Sequence, residues 1–339
     1  MGGESDSRDS VRSIVQAVEA ADHILAATHR NPDGDALGSL LGLTHVLTDQ
    51  GKKTIPFCPD PIPPTLRFLP GMSLIRTDVR NAKFDISIVL DTPEVKLLPD
   101  GFPENADRGR LIVIDHHLRA DLTGDLALRM KSSAVGEMVH RLASDHGWPI
   151  SAEAATCLYT SIVSDTSSFK YESATKQSHL AAADLISRGA VPNHVATHLF
   201  ESFSLSRQRL LAAVLGTLTV RLRGRLALIH CTRRMLESAG AQSTDTSGLI
   251  NFARSIDGVV VAGFVREESG GIRVSLRSKG NVNAGRIAER LGGGGHVNAG
   301  GCFLSNATLE TVRGQVKEAT RAVLDRDNGT VSGGVSIPT

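Results

Sequence analysis

Two apolar runs constrain this chain more than any other feature. Phe84-Asp85-Ile86-Ser87-Ile88-Val89-Leu90-Asp91 and Arg110-Leu111-Ile112-Val113-Ile114-Asp115-His116-His117 are nearly continuous in apolar character and end in carboxylates or imidazoles. Both lie between segments with helical spacing. A strand wetted on one face alternates apolar with polar residues, whereas a continuous run is buried on both faces, as in a parallel sheet covered by helices. A third run, 23–27, has the same character and opens through a turn into 36–49, where the apolar spacing is that of a helix. The pattern predicts an α/β fold with its polar groups at the carboxyl ends of strands, where open α/β sheets bind ligands.

The turn after the third run reads Thr28-His29-Arg30-Asn31-Pro32-Asp33-Gly34-Asp35-Ala36-Leu37-Gly38-Ser39. Asn31-Pro32 and Gly34 tighten it, and Asp33 and Asp35 flank the glycine, so two carboxylates and the His29 imidazole converge on a small volume. Close like charges resist joint ionisation, and a divalent cation relieves them. The plainer alternative is that both aspartates cap the helix. Asp115-His116-His117, taken alone, reads equally well as a surface triplet.

With 339 residues the chain is too long for one ordinary core, which predicts two domains. A hydrophobic content of 41% and a charged content of 22% are those of a globular protein. The net charge of +1 argues against a sequence-blind DNA coat, so long duplex DNA is not an expected partner. No uninterrupted apolar span reaches membrane length, and the first twelve residues lack the apolar core of a secretory signal, so a cytoplasmic protein without membrane attachment is expected. Cys58, Cys157, Cys231 and Cys302 are scattered without a C-x-x-C pair, which predicts buried thiols rather than disulfides or a zinc knot.

Along the chain, 1–10 reads as a disordered leader and 11–190 as the first domain. Within it, helices are expected at 11–21, 133–146, 152–163 and 176–188, a second strand at 53–57, and a surface loop at 59–64 where prolines exclude a central strand. Ser164-Asp165-Thr166-Ser167-Ser168-Phe169 reads as a polar turn. A helical linker is expected over 191–214. From 215 to 326 the pattern changes to short β-like runs at 216–222, 226–231, 258–266 and 272–276, with helices at 285–291 and 309–324, and 327–339 reads as a mobile tail.

Four carboxylates (Asp33, Asp35, Asp91, Asp165) and two imidazoles (His29, His116) fall at strand ends or adjoining turns, and in a parallel sheet such positions face one crevice. Oxygen-rich ligation with some imidazole suits Mn²⁺, with Mg²⁺ or Co²⁺ as substitutes. Two ions need a shared carboxylate, and Asp91, ending a central strand without an acidic neighbour, is the best placed. A metal pair roughly 3.5–4 Å apart activates water for in-line phosphoester hydrolysis without a serine or cysteine nucleophile. His116 and His117 point to opposite sides if the backbone there is extended, so only one should touch metal. The other is expected near the phosphate or leaving oxygen, with Asp115 orienting a neighbouring imidazole.

These stretches, in order, resemble the four motifs of the DHH phosphoesterase superfamily: 29–39, Leu90-Asp91, Asp115-His116-His117 and Asp165-Thr166. Ser275-Leu276-Arg277-Ser278 and Gly292-Gly293-Gly294-Gly295-His296-Val297-Asn298-Ala299-Gly300-Gly301 are similar to its DHHA1 domain, and the whole is similar to the bifunctional oligoribonuclease and pAp phosphatase group, the NrnA-type nanoRNases. The resemblance implies a smaller α/β DHHA1 domain and an active site in the cleft between the domains. It implies that His29, Asp33 and Asp91 hold one Mn²⁺, that Asp35, Asp91, His116 and Asp165 hold the other, and that His117 acts near the phosphate and leaving group. The substrates implied are short oligoribonucleotides, pAp, and cyclic di-AMP or pApA, and a homodimer is implied as well. One departure concerns Ser167, where the family usually has glycine; a side chain there is expected to shift the loop.

In the second domain, Gly293, Gly294 and Gly295 offer backbone N–H groups unscreened by a Cβ, His296 adds a directional donor, and Arg277 can fork onto a phosphate. They read together as a nucleotide seat, or, for the glycines, as a hinge. An aromatic content of 4% is too low for an extended single-strand platform, which favours short substrates. The rival readings are a RecJ-like exonuclease, which calls for extra nucleic-acid domains and a longer basic groove, a pyrophosphatase or polyphosphatase sharing the metal motifs, and a nucleotide sensor without turnover.

Overall fold

Side-chain alternation decides how the first sheet is covered. The computed structural model describes residues 2–117, 120–295 and 297–329, with side chains from residue 9 to residue 326. The chain forms two compact units that divide between Ser202 and Phe203. Unit 1 contains α1 (Gly2–Ala20), β1 (His23–Thr28), α2 (Gly34–Asp49), β2 (Lys53–Phe57), β3 (Ile86–Leu90), α3 (Asn105–Arg108), β4 (Arg110–Asp115), β5 (Leu126–Arg129), α4 (Val135–Asp145), α5 (Ala152–Asp165), α6 (Lys176–Ser187) and α7 (Pro192–Phe200).

The five strands lie in the order β2-β1-β3-β4-β5, all parallel, so β3 is central. Ile24, Ala26, Ile88, Leu90, Ile112 and Ile114 enter the core that contains Leu37, Leu40, Leu158 and Ile162 from α2 and α5. Their neighbours Leu25, Ala27, Val89, Leu111 and Val113 pack on the other face with Phe57, Val79, Phe84 and Leu122. Two buried faces explain why these strands are written without polar alternation. Pro56 sits in β2, an edge strand, where its missing N–H costs no ladder bond.

Three features differ from the sequence-based expectation. Helix α1 begins at Gly2 rather than near Val11, because no proline or glycine after Gly3 interrupts its register. Strand β5 was not anticipated; it has only four residues, too few to show a period. Asp165 closes a helix instead of standing in a turn: the Thr166 hydroxyl donates back to the Ile162 carbonyl (2.6 Å) and carries α5 to the aspartate.

Unit 2 contains α8 (Leu205–Leu215), β6 (Thr219–Arg221), β7 (Leu226–Cys231), α9 (Arg233–Ala239), α10 (Ile250–Arg254), β8 (Val261–Glu268), β9 (Gly271–Ser278), α11 (Ala284–Glu289), β10 (Gly294–Gly295), β11 (Ala299–Ser305) and α12 (Leu309–Gly329). Its mixed sheet has the order β10-β11-β9-β8-β7-β6. One face packs on α11 and α12 through Val274, Leu276, Ile287 and Val316, and part of the other packs on α8 and α10 through Ile229, Phe264, Leu210 and Ile250. The helix α12 passes the expected boundary at 326, and residues 330–339 of the expected tail lie outside the described residues. All four cysteines are buried and none is in a disulfide. Among the described residues no helix is long and apolar enough to cross a membrane.

Candidate metal centre

Three parallel strands deliver the first side chains of the site. His29 follows β1, Asp91 follows β3, and Asp115 ends β4 with His116 and His117 directly after it, so all five emerge at the carboxyl edge of adjacent strands. Helices α2 and α5 supply the rest. Asp33 is the N-cap of α2, its Oδ1 accepting from the Asp35 and Ala36 N–H groups at 3.0 and 3.1 Å. Capping therefore occurs, but it occupies one carboxylate oxygen and leaves the other for a second role.

Asp35 lies within the first turn of α2 and is 1% exposed. Its carboxylate accepts from the N–H groups of Val135 (2.9 Å to Oδ2) and Gly136 (3.3 Å to Oδ1) and from the Ser161 hydroxyl (2.5 Å). Ala134, the N-cap of α4, has no side-chain acceptor, so Asp35 satisfies that helix start from another element. The approach needs α2 and α5 very close: a Cβ on Gly38 would stand 2.6 Å from the Cys157 carbonyl oxygen and 2.8 Å from the Ser161 amide.

The six residues proposed from the sequence come together. His29, Asp33 and Asp91 form one group able to hold an ion; Asp35, His116 and Asp165 form a second; Asp91, His116 and His117 form a third. Asp91 joins the first and third, and His116 the second and third. Asp91 Oδ2 is 3.5 Å from His29 Nε2, while Oδ1 is 3.5 Å from His116 Nε2 and 3.6 Å from His117 Nδ1. The Asp91 carboxylate thus faces both sides of the cluster. It is 3% exposed and its Oδ1 has no hydrogen-bond partner, an expensive arrangement for a buried anion unless a cation is expected.

Neighbouring carbonyls fix which ring nitrogens face inward. His29 Nδ1 donates to the Arg30 carbonyl (2.8 Å) and His116 Nδ1 to the Ser132 carbonyl (3.2 Å), which turns Nε2 of each ring toward Asp91. Asp115, fully buried, accepts from both the backbone N–H (3.2 Å) and Nδ1 (2.8 Å) of His117. The expectation of opposed histidines is corrected. Both residues lie past the end of β4, and their rings stand edge to face with centroids 4.7 Å apart.

The electrostatics carry the same message. Burial works against charge on His29, but its hydrogen bond and attraction to Asp91 prevail and raise it to about 9. For His116 burial is again opposed by Asp91, with Asp35 and Asp165 adding, and its pKa is about 10. Burial pushes Asp91 up, yet His116 and His29 hold it down at about 2. Asp165 is raised to about 6, and Asp33 and Asp35 are raised too, by burial first and then by repulsion from neighbouring carboxylates. Four carboxylates compressed together and held by imidazolium protons form a donor set that divalent cations fit.

Ser161 and Arg129 were not anticipated. Ser161 stands one helical turn before Asp165 on α5, and that spacing is the signal that could have found it. Arg129, 3.8 Å from Asp115 Oδ2, ends the unanticipated β5 and left no such signal.

In unit 2, Arg277 on β9 lies opposite Ala299 of β11, and Gly294 and Gly295 pair with Gly301 and Gly300. The glycine run is therefore partly strand rather than a hinge. Gly293 is required there, since a Cβ would meet the Gly301 carbonyl oxygen at 2.1 Å. His296 lies outside the described residues.

Comparison with known proteins agrees with this geometry. The DHH family N-terminal domain matches residues 23–162 and the DHHA1 domain matches residues 229–326. A Thermus thermophilus protein named bifunctional oligoribonuclease and PAP phosphatase NrnA is 35% identical over 318 residues, spanning 93% of this chain and 94% of its own. The chain belongs to the DHH/DHHA1 phosphoesterase superfamily. A second NrnA, from Bacillus subtilis, is 30% identical over 86% of this chain and 92% of its own. A crystal structure of an exopolyphosphatase-related protein from Bacteroides fragilis superposes with a TM-score of 0.87 at 31% identity, covering 93% of this chain and 96% of that one. The His29, Asp91 and Asp115-His116-His117 positions all lie inside the matched DHH region.

Proposed function

We propose that this DHH/DHHA1 protein is a Mn²⁺-dependent phosphoesterase that hydrolyses short oligoribonucleotides to mononucleotides and pAp to AMP, with pApA and cyclic di-AMP as further substrates. The observation that carries the reading is Asp91, a buried carboxylate with an unpartnered oxygen, shared between neighbouring His/Asp groups at the carboxyl edge of a parallel sheet. His29, Asp33 and Asp91 would hold one ion, and Asp35, Asp91, His116 and Asp165 the other. A bound pair supplies Lewis acidity, making water a competent nucleophile near neutral pH and offsetting charge on the phosphoryl oxygens.

The chain's own residues do the remainder. The Arg30 and Ser132 carbonyls keep His29 and His116 oriented with Nε2 inward. Ser161 and the start of α4 fix the Asp35 carboxylate so that it does not reorganise when charge develops. Asp115 holds Nδ1 of His117 as the protonated nitrogen, which leaves Nε2 as the atom that would first accept a proton, from the attacking water or solvent, and then deliver it to the leaving oxygen. Arg277, Gly293, Gly294, Gly295 and His296 form the nucleotide seat, the arginine and backbone N–H groups taking a phosphate. A cytoplasmic location, where short RNA fragments arise, and a homodimer belong to the same proposal.

The exopolyphosphatase-related name of the Bacteroides fragilis structure favours one rival, polyphosphate hydrolysis. A single panel separates the readings. Purified protein with Mn²⁺ is expected to release AMP from pApA, pAp and triadenylate and little phosphate from polyphosphate. Preferential attack on polyphosphate, or no turnover with any of Mn²⁺, Mg²⁺ and Co²⁺, would overturn the proposal.

A further inference from the structure

One face of the unit 2 sheet is only half covered. On that face Ala227, Ile229, Ala262 and Phe264 are buried beneath α8 and α10, and α10 also reaches β9, but the face continues onto β11, whose main helical neighbour among the described residues is α11 on the opposite side. Along β9, Ile272, Val274, Leu276 and Ser278 are buried on the α11/α12 side, so Arg273, Ser275 and Arg277 alternate onto the other side, Arg273 exposed and Ser275 and Arg277 half-buried. Antiparallel register puts Phe303 beside Arg273, Gly301 beside Ser275 and Ala299 beside Arg277. Directly paired residues share a face, so these six line one strip.

The strip has a chemistry of its own. Its centre is bare backbone and a serine, since Gly301 has no side chain. At one end the Phe303 ring is 41% exposed, with the Arg273 guanidinium 5.6 Å from its centroid. An exposed phenylalanine ring offers a flat apolar surface on which a base can stack, with the neighbouring guanidinium adding a cation–π contact. Glu268 does not make the region acidic: its carboxylate is bound by Arg273 at 2.8 Å and by Arg266 at 2.6 Å, so two guanidiniums stand against one carboxylate. A cationic strip with an aromatic at one end complements a polyanion carrying flat rings, which is a single-stranded oligonucleotide.

We propose that this strip of β9 and β11, open at its Arg273 and Phe303 end, holds the bases beyond the first nucleotide of an oligoribonucleotide, with Phe303 as the stacking platform that favours longer substrates over pAp. The inference rests on the function proposed above, in which Arg277 grips a phosphate. From Arg277 to Arg273 is four residues of strand, about 13 Å at ~3.3 Å per residue, so a ligand held at Arg277 reaches Phe303 only when it carries further nucleotides. Phe303 is thus a specificity residue, remote from the metal ligands in sequence and role.

The test uses the full chain with Mn²⁺ and compares pAp, pApA, triadenylate and pentaadenylate with wild type, Phe303→Ala and Phe303→Trp. Phe303→Ala is expected to raise KM for the trimer and pentamer about five- to tenfold, near the lower end for loss of one base–aromatic stack, with kcat and all pAp constants unchanged. Phe303→Trp is expected to restore KM. A 2-aminopurine in the third position should be quenched on binding wild type with Ca²⁺ and not on binding Phe303→Ala. Equal KM values at every length, or a loss shared by pAp, would overturn the platform. A change in sedimentation mass with unchanged KM would give the face to a second copy and overturn it too. Failure of wild type to cleave anything refutes the phosphoesterase reading instead, so the two failures are distinguishable.

Discussion

Asp91→Asn is the substitution whose effects the structure defines most closely. Asp91 adopts φ 52, a left-handed conformation that most residues resist and that asparagine accepts readily, so the exchange keeps both shape and backbone and removes only charge. That charge lies 3.5 Å from His29 Nε2 and 3.5 Å from His116 Nε2. Coulomb's law at an effective dielectric of about 20 gives each contact about 4–5 kcal/mol. In the metal-free protein His29, now at about 9, should return toward its ordinary 6.5. A fall from about 9 to 6.5 corresponds to about 3.4 kcal/mol, the same order as the Coulomb figure, and burial, which the substitution leaves unchanged, does not enter the difference. His116 should fall less, because Asp35 and Asp165 remain near it. Side-chain NMR titration of the metal-free protein reads both values, and Mn²⁺-dependent release of AMP from pAp reads the consequence, a loss of at least about a hundredfold. A His29 pKa unchanged within half a unit, together with near wild-type turnover, would refute the shared-carboxylate argument.

Three further outcomes follow from the same geometry. At pH 7 His29 and His116 are protonated in the metal-free protein, with pKa values of about 9 and about 10, and each must lose its proton to bind a cation. Mn²⁺ affinity should therefore rise with pH up to that range and flatten above it, and calorimetry in buffers of different ionisation enthalpy should count about two protons released near pH 7.5; no release would contradict the ligand set. Arg277→Ala should raise KM for all nucleotide substrates about tenfold or more at nearly constant kcat, since a charge-assisted hydrogen bond to phosphate is lost, and an unchanged KM would remove Arg277 from the seat. Ser167→Gly should stabilise the protein by about 0.5–1 kcal/mol in chemical denaturation, because Ser167 holds φ 49 and glycine takes that conformation without strain; destabilisation would show that its side chain is needed.

Ser167 also shows how a departure from a motif is absorbed. The loop keeps a left-handed backbone at Ser167, Ser168 and Phe169 despite their side chains. Thr166, fully buried, pins it by donating to the Ile162 carbonyl and accepting from the Phe169 N–H. The loop therefore holds, at Ser167, a backbone conformation that glycine adopts without strain.

What the sequence made legible follows from how local each signal is. The parallel strands were readable because burial on both faces forces continuous apolar runs, and their polar ends could be read as one edge because parallel topology leaves little choice. Asp33 was readable in both its roles, since capping uses one oxygen and leaves the other. Asp165 was misplaced in a turn because Ser-Asp-Thr-Ser-Ser has turn composition, while a single buried hydroxyl decides that the helix continues. Strand β11 was hidden because Ala299-Gly300-Gly301 has poor strand propensity and becomes strand only by pairing with β9. The Asp35–Ser161 contact crosses 126 positions and depends on the closeness permitted by Gly38, which no local pattern reveals.

The account depends above all on one cluster of carboxylates and imidazoles caging a pair of cations around Asp91. Equilibrium dialysis against Mn²⁺ followed by metal analysis and electron paramagnetic resonance tests this directly. Two Mn²⁺ per chain with an exchange-coupled signal are expected for wild type, and loss of the coupled signal for Asp91→Asn. A single ion per chain with an isolated six-line spectrum, or a coupled pair that survives Asp91→Asn unchanged, would contradict it.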